Sequence, residues 1–259
     1  MVAPMHPDLA ARFDLTGRVA IVTGGSRGLG RAMALVLAKA GCSVVIASRK
    51  ADSCAMVVAE VEALGGHALA VATRMGEPDD IRALVSATVG HFSRLDIVIN
   101  NAATVLDRSL ESLDPSTFQG AFATNLLGPL LLVQAAVPHL EAGGHGAVVN
   151  IISIAVEHGT PGRYLYPPVK AGLEQATRSL ALDLAPKGIR VNAISPGTFV
   201  TDMVTKAFDE PTRARIAKET PLGRLGDPDE LAGVALLLVS DAGSYITGQT
   251  ITVDGGVTA

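Results

Sequence analysis

The sequence predicts one α/β domain: a doubly wound parallel sheet of seven strands with helices on both faces. Three observations predict it. Short apolar runs rich in β-branched residues alternate with longer segments of helical period, the pattern of repeated right-handed strand–helix–strand units. Several runs are apolar on both faces, as strands covered on each side by helices must be. No low-complexity linker, fixed-period repeat or shift in composition divides the 259 residues, so 1–259 reads as a single domain.

The first strand is RVAIVT (18–23), followed by a glycine-rich turn and the helix RAMALVLAKAG, which Gly41 ends as a C-cap. SVVIA (43–47) is the second strand and ADSCAMVVAEVEALGG its helix. HALAVA (67–72) leads into PDDIRALVSATVGHF, and DIVIN (96–100) into the long segment PSTFQGAFATNLLGPLLLVQAAVPHLEAGG. GAVVNII (146–152) precedes a helix starting near Tyr166, and IRVNAI (189–194) and QTITVD (249–254) complete the sheet. Between the last two strands, the polar stretch 198–224 reads as a flap on the substrate side.

Composition excludes several roles. A net charge of −4 offers no electrostatic footprint for nucleic acid or an acidic membrane. Only Cys42 and Cys54 are present, without C-x-x-C spacing, which fits a reducing compartment. The first 17 residues lack a signal-peptide pattern and no uninterrupted apolar run reaches 18, so the expectation is a soluble cytoplasmic protein. The six histidines show no paired ligand spacing, and no metal is expected; His158 reads as a loop residue. Lys206, Arg213, Arg215 and Lys218 alternate with Asp209, Glu210 and Glu219 as a solvated helix face does.

The first strand runs into T23-G-G-S-R-G-L-G30. Glycines let a backbone turn tightly and approach a pyrophosphate, which then sits on the N-terminus of the following helix. Gly24, Gly28 and Gly30 are spaced G-x-x-x-G-x-G rather than G-x-G-x-x-G, so a plain strand-to-helix turn is the competing reading. Where a dinucleotide fold places an acid for the ribose 2′-OH of NAD, the second strand ends A47-S-R-K50. Arg49, with Arg27 in the glycine turn, suits a 2′-phosphate instead, so NADP(H) is preferred and NAD(H) possible.

The stretch YLYPPVK (164–170) supplies the chemistry. Tyr166 and Lys170 are four apart and share a helix face. A phenol is a poor acid or base near neutrality, and an adjacent ammonium favours its ionised form, so the pair is a candidate proton donor and acceptor. Tyr164 has Pro168 four residues on and lacks such a partner.

These residues resemble the short-chain dehydrogenase/reductase family over nearly the whole chain. T23-GGSRGL-G30 is similar to its T-G-x-x-x-G-x-G loop, NNAA (100–103) to its N-N-A-G motif, and Tyr166-x-x-x-Lys170 to its active-site motif. Ser153 stands 13 residues before the tyrosine, as the family's serine does, and Asn125 in ATNLLG matches its helix asparagine. SPGTFVT (195–201) resembles the segment that packs on the nicotinamide, and ITGQTITVDGG the usual last strand. The resemblance implies a Rossmann-type fold, a homotetramer, and hydride transfer between the nicotinamide and a carbonyl or secondary alcohol. In it Tyr166 is the acid/base, Lys170 binds the ribose and lowers the tyrosine's pKa, Ser153 bonds the substrate oxygen, and Asn125 holds a relay water. It also implies cofactor contacts from Gly24, Ser26, Arg27, Gly28, Leu29 and Gly30, from Ser48 and Arg49, from Asn101 and Ala102, and from Pro196, Gly197, Thr198 and Thr201, besides Tyr166 and Lys170.

The chain departs from the family pattern at three places. Arg74 stands where an adenine-binding Asp is common, Ala103 replaces a glycine, and Pro167-Pro168 follows the tyrosine, which sets Tyr166 at a helix entrance with the prolines in the first turn. The expected function is an NADP(H)-dependent carbonyl reductase or alcohol dehydrogenase acting on a small molecule. An NAD-dependent alcohol dehydrogenase, or a non-catalytic nucleotide-binding protein on the same fold, is the alternative.

Overall fold

The computed structural model describes residues 6–105, 110–157, 159 and 162–259. His158 lies outside them. Seven parallel strands form one sheet in the order β3-β2-β1-β4-β5-β6-β7: β1 (Val19–Thr23), β2 (Ser43–Ser48), β3 (Ala68–Ala72), β4 (Ile97–Asn100), β5 (Ala147–Ile151), β6 (Arg190–Pro196) and β7 (Thr250–Val253). The strands coincide with the seven apolar runs to within a residue or two at each end. A short α1 (Pro7–Ala11) precedes the sheet; α2 (Gly28–Lys39), α3 (Ala51–Ala63) and α4 (Pro78–Phe92) connect the first four strands. Gly41, at φ +90°, closes α2 as expected.

Strand residues alternate between two cores. Ala20 and Val22 of β1 face one cluster with Ala32, Met33 and Leu37 of α2, while Val19 and Ile21 face another with Ile81, Leu84 and Val85 of α4. This two-sided burial is what runs apolar on both faces foretell. Strand order reverses at β1, whose neighbours are β2 and β4, so the crevice beyond its carboxyl end is where such sheets bind ligands.

The long segment after β4 forms a single helical stretch: α5 (Pro115–Phe122), a π-turn over Ala123–Leu127, and α6 (Gly128–Gly143). It spans 29 residues and by length and composition is apolar enough to cross a membrane. The absence of an 18-residue apolar run did not anticipate this, because isolated polar residues such as Gln134 and His139 interrupt the run without breaking the helix. Leu132, Val133, Ala136 and Leu140 of α6 pack into the second core, the placement of a core helix in a globular protein.

After β5 come α7 (Tyr166–Leu184) and β6. The polar stretch 198–224, predicted as a flap, contains α8 (Asp202–Ala207) and α9 (Glu210–Glu219), each started by a side-chain cap: Thr201 accepts from the Val204 N–H and Asp209 from the Thr212 N–H. On α9, Arg213 pairs with Glu210 and Arg215 with Glu219, the solvated face the charge pattern predicts. The sequence reading placed no element between the flap and the last strand. There the chain forms α10 (Pro228–Val239), with proline at its start and a capping box between Asp227 and Glu230. Leu231, Ala232, Ala235, Leu238 and Val239 of α10 join the first core. Its run LAGVALLLV is apolar nearly all round, so no helical periodicity marks it.

Candidate active site

The site assembles along the carboxyl ends of the strands. At β1 the turn after Thr23 needs its glycines. Gly24 and Gly28 have φ of +63° and +52°, and a Cβ on Gly24 would lie 2.7 Å from Asn101 Nδ2. A Cβ on Gly30 would collide with the Gly24 carbonyl. Asn101 fastens the turn by donating through Nδ2 to the carbonyls of Thr23 (2.9 Å) and Gly24 (3.2 Å). The Thr23 hydroxyl donates to the Ile99 carbonyl and accepts from the N–H groups of Asn101 and Ala102. Helix α2 starts at Gly28 with no side-chain cap, so its first N–H groups face the crevice as a site for an anionic group. Across the crevice a Cβ on Gly28 would lie 3.3 Å from Thr201 Cγ2, which brings the segment after β6 against the glycine turn. In that segment Gly197 is required, because a Cβ there would lie 2.7 Å from Asp254 Cα. Pro196 and Thr198 flank it, and Ser26 and Leu29 are half-buried in the turn opposite. The cradle fits a dinucleotide pyrophosphate.

At the end of β2, Ser48 is half-buried with its hydroxyl 3.2 Å from Cys54 Sγ, while Arg49 and Arg27 are exposed. Neither arginine has a side-chain partner among the described residues. At the end of β3, Arg74 is paired with Asp80, whose carboxyl it holds below the usual range. Ala103 is at home in place of glycine, since Ser93 is the one non-glycine residue with positive φ among those described.

At the end of β5, Ser153 caps a short turn over Ile154–Val156, its Oγ accepting from the Ala155 N–H at 3.2 Å. Tyr166 is the first residue of α7, with Pro167 and Pro168 in the first turn. A residue before proline avoids the helical region, yet Tyr166 is held there. The anchor is Leu165 and Val169, 2% and 4% exposed and joined by an N–H to carbonyl bond of 3.2 Å. Tyr164, by contrast, is 46% exposed. Burial pushes the pKa of the Tyr166 phenol up, against the opposing pull of the Ser153 side chain and of the Arg163 charge. Lys170 is 1% exposed and donates from Nζ to the Ile151 carbonyl at 2.5 Å, with Nζ 5.8 Å from the centre of the Tyr166 ring. Burial pushes this ammonium down to about 8. The phenol lies above its ordinary pKa because its desolvation outweighs the pull of Ser153 and Arg163.

Asn125 sits in the π-turn, fully buried. Its Oδ1 accepts from the Thr104 N–H and its Nδ2 donates to the Thr104 carbonyl, both at 2.9 Å. It clamps the chain just beyond the NNAA motif. The structure thus brings Ser153, Tyr166 and Lys170 together, joins the glycine turn to Asn101 and Thr201, and ties Asn125 to the backbone between them. Sequence reasoning missed Asp80, Arg163 and a buried chain of amides in which Asn100 donates to Asn150 and Asn150 to Thr177, each at 2.9 Å, locking β4, β5 and α7 together. The signal available was an asparagine ending one apolar strand, in VIN, and another one residue before the end of the next, in VVNI.

The chain is similar to known proteins in sequence and in fold. A family model described as enoyl-(acyl carrier protein) reductase matches residues 24–258. A 3-oxoacyl-[acyl-carrier-protein] reductase of Synechocystis sp. is 40% identical over 245 residues, 94% of this chain and 98% of that protein. Among solved structures, a 7α-hydroxysteroid dehydrogenase complexed with NADH and 7-oxo glycochenodeoxycholic acid superposes with a TM-score of 0.92 at 33% identity, covering 95% of this chain and 96% of that one. A gluconate 5-dehydrogenase from Burkholderia cenocepacia, in complex with NADP and tartrate, gives a TM-score of 0.90 at 33% identity, covering 96% and 98%.

Proposed function

The chain belongs to the short-chain dehydrogenase/reductase family and is an NAD(P)-dependent oxidoreductase, and from that premise we propose that it uses NADP(H) to interconvert a carbonyl compound and its secondary alcohol, with Tyr166 as the acid/base. The observation that carries this reading is the convergence of Ser153, the Tyr166 phenol and the buried Lys170 ammonium after β5, on the same carboxyl edge of the sheet as the glycine turn after β1.

The glycine turn, the open N-terminus of α2 and Thr201 would hold the pyrophosphate, Arg27 and Arg49 the 2′-phosphate, and Pro196, Gly197 and Thr198 the nicotinamide side. The nicotinamide, when bound, supplies or takes up the hydride. The remaining work falls to this chain's own groups. Ser153 orients the substrate oxygen. Tyr166 gives its phenolic proton to that oxygen as negative charge develops, and takes one back in the opposite direction. Its raised pKa keeps it protonated near neutrality, the form reduction requires. Lys170 uses one of its three N–H donors on the Ile151 carbonyl and keeps the others for ribose hydroxyls and the side facing the phenol. Asn125 acts through position, fixing the Thr104 backbone at the rim.

The preference for NADP(H) rests on this chain's own residues, since one related structure carries NADH and another NADP. Arg27 and Arg49 are exposed, and no carboxylate follows β2 in Ser48-Arg49-Lys50. Thr201, the cap of α8, lies against the glycine turn, which supports 198–224 as the substrate-side flap of one catalytic domain spanning 1–259. Phe118, Phe122, Leu127 and Leu182 expose apolar surface on α5, the π-turn and α7, which supports assembly of copies of the chain; a homotetramer in the cytoplasm completes the proposal. The function is tested by offering ketones, 3-oxoacyl thioesters, sugars and steroids and following NADPH absorbance. Loss of absorbance with one class identifies the substrate, and silence with all of them, in both directions and with both cofactors, refutes turnover of this kind.

A further inference from the structure

The carboxyl edges of β3, β2 and β1 lie side by side and are followed by Arg74, Arg49 and Arg27 respectively. The adenosine half of a dinucleotide belongs over this part of the crevice, because the group that reads its ribose stands at the end of the second strand. The Thr73 N–H donates to the Ser48 carbonyl at 2.9 Å, so Arg74 follows directly on backbone stitched to that strand end.

Arg74 differs from the other two arginines in that its charge is already matched. Asp80, in the first turn of α4, accepts from the Arg74 backbone N–H at 3.0 Å, from Nε at 2.9 Å and from Nη2 at 3.2 Å. The carboxylate therefore occupies the Nε/Nη2 edge of the guanidinium. The Nη1/Nη2 edge and the planar faces remain, on a side chain that is 65% exposed. A neutralised, flat group with one free donor edge suits an uncharged heteroaromatic ring better than a phosphate.

We propose that the Arg74–Asp80 pair holds the purine base of the cofactor through donors and a stacking face, so that a 6-oxopurine is accepted at least as well as adenine. This rests on the nucleotide-binding reading above and adds base selectivity to it. Arginine has no acceptor, so it cannot receive the 6-amino N–H of adenine. Adenine offers its free edge a single acceptor, N7, whereas a 6-oxopurine offers O6 and N7 together, the pair that arginine engages with two parallel bonds.

The test is direct titration, read by the fluorescence of the reduced nicotinamide and needing no substrate, with NADPH, NADH and the hypoxanthine analogue of NADPH. Wild type should bind the analogue as tightly as NADPH or more tightly. Arg74→Ala should weaken NADPH and NADH by the same factor, about two- to fivefold for a lost stacking partner. It should weaken the analogue by a further factor of about ten, for the lost pair of donors. Arg74→Lys, which keeps the charge without the fork, should not restore binding of the analogue. Wild-type affinity at least tenfold poorer for the analogue than for NADPH, or three unchanged affinities in Arg74→Ala, would overturn the proposal and leave the nucleotide reading intact. Failure of wild type to bind either NADPH or NADH would remove both.

Discussion

A Lys170→Met variant probes the electrostatics of the site without any substrate. Burial moves the Lys170 ammonium from an ordinary 10.5 down to about 8. At about 1.4 kcal/mol per pH unit, that displacement withholds about 3 kcal/mol of stability wherever the folded protein must keep the charge. The folded-state pKa is the lower of the two. Between pH 8 and 10.5 the unfolded chain therefore holds a proton the folded chain has released, unfolding takes one up, and stability contributed by this group rises with pH. Below pH 8 the full penalty is present. Methionine fills much of the same volume and does not titrate, but it leaves the Ile151 carbonyl without its 2.5 Å donor, at a cost of about 1–3 kcal/mol. At pH 7 these effects oppose, and the variant should match wild type or exceed it by up to about 2 kcal/mol. By pH 10.5 wild type should have gained about 3 kcal/mol relative to the variant. Urea denaturation of both proteins at several pH values between 7 and 10.5 measures the difference, in which other titrating groups cancel. A difference that stays constant within about 0.5 kcal/mol over that range would show that Lys170 is not desolvated as described.

Tyr166→Phe keeps the ring and removes the proton, so kcat should fall at least about 100-fold while NADPH affinity stays near wild type; normal turnover would move the non-catalytic alternative ahead. Tyr164→Phe, at an exposed ring, should retain most activity in the same assay. Arg49→Ala should weaken NADPH about 10- to 100-fold in a binding titration and leave NADH nearly unchanged, whereas equal losses would contradict a 2′-phosphate contact. Asn125→Ala strands the Thr104 N–H and carbonyl and should cost about 1–3 kcal/mol in chemical denaturation; a loss of activity with no loss of stability would mean that the clamp is not its main duty.

Much of this protein was legible before any coordinates, for reasons of periodicity. Runs such as VAIVT and SVVIA admit one environment, a strand with helices on both sides; the glycines at 24 and 28 mark a backbone that turns with positive φ, and the one at 30 a close approach of the chain to itself. The pairing of Tyr166 with Lys170 was equally readable, because four residues on a helix bring two side chains to one face regardless of the rest of the fold. The diproline was readable as a first turn, since proline is tolerated where no N–H partner is required.

What the linear order could not supply was everything that depends on groups distant in the chain. Asn125 reads as a polar residue in an apolar helix until the fold sets it opposite Thr104, 21 residues earlier, where both ends of its amide are claimed. Spacing puts Tyr166 and Lys170 on one face, but only packing buries both, raising the pKa of the phenol and lowering that of the ammonium, because desolvation is a property of the surrounding atoms. Arg74 reads only as a missing acid until Asp80, six residues on, folds back from α4 and neutralises it. Helix α10 escaped notice because a run apolar nearly all round has no polar face to give it a period. Periodicity determines which face of each element is apolar, and with it the fold; charge and hydrogen-bond partners at the site are decided by the few ångströms between elements, which exist only once the sheet and helices have packed.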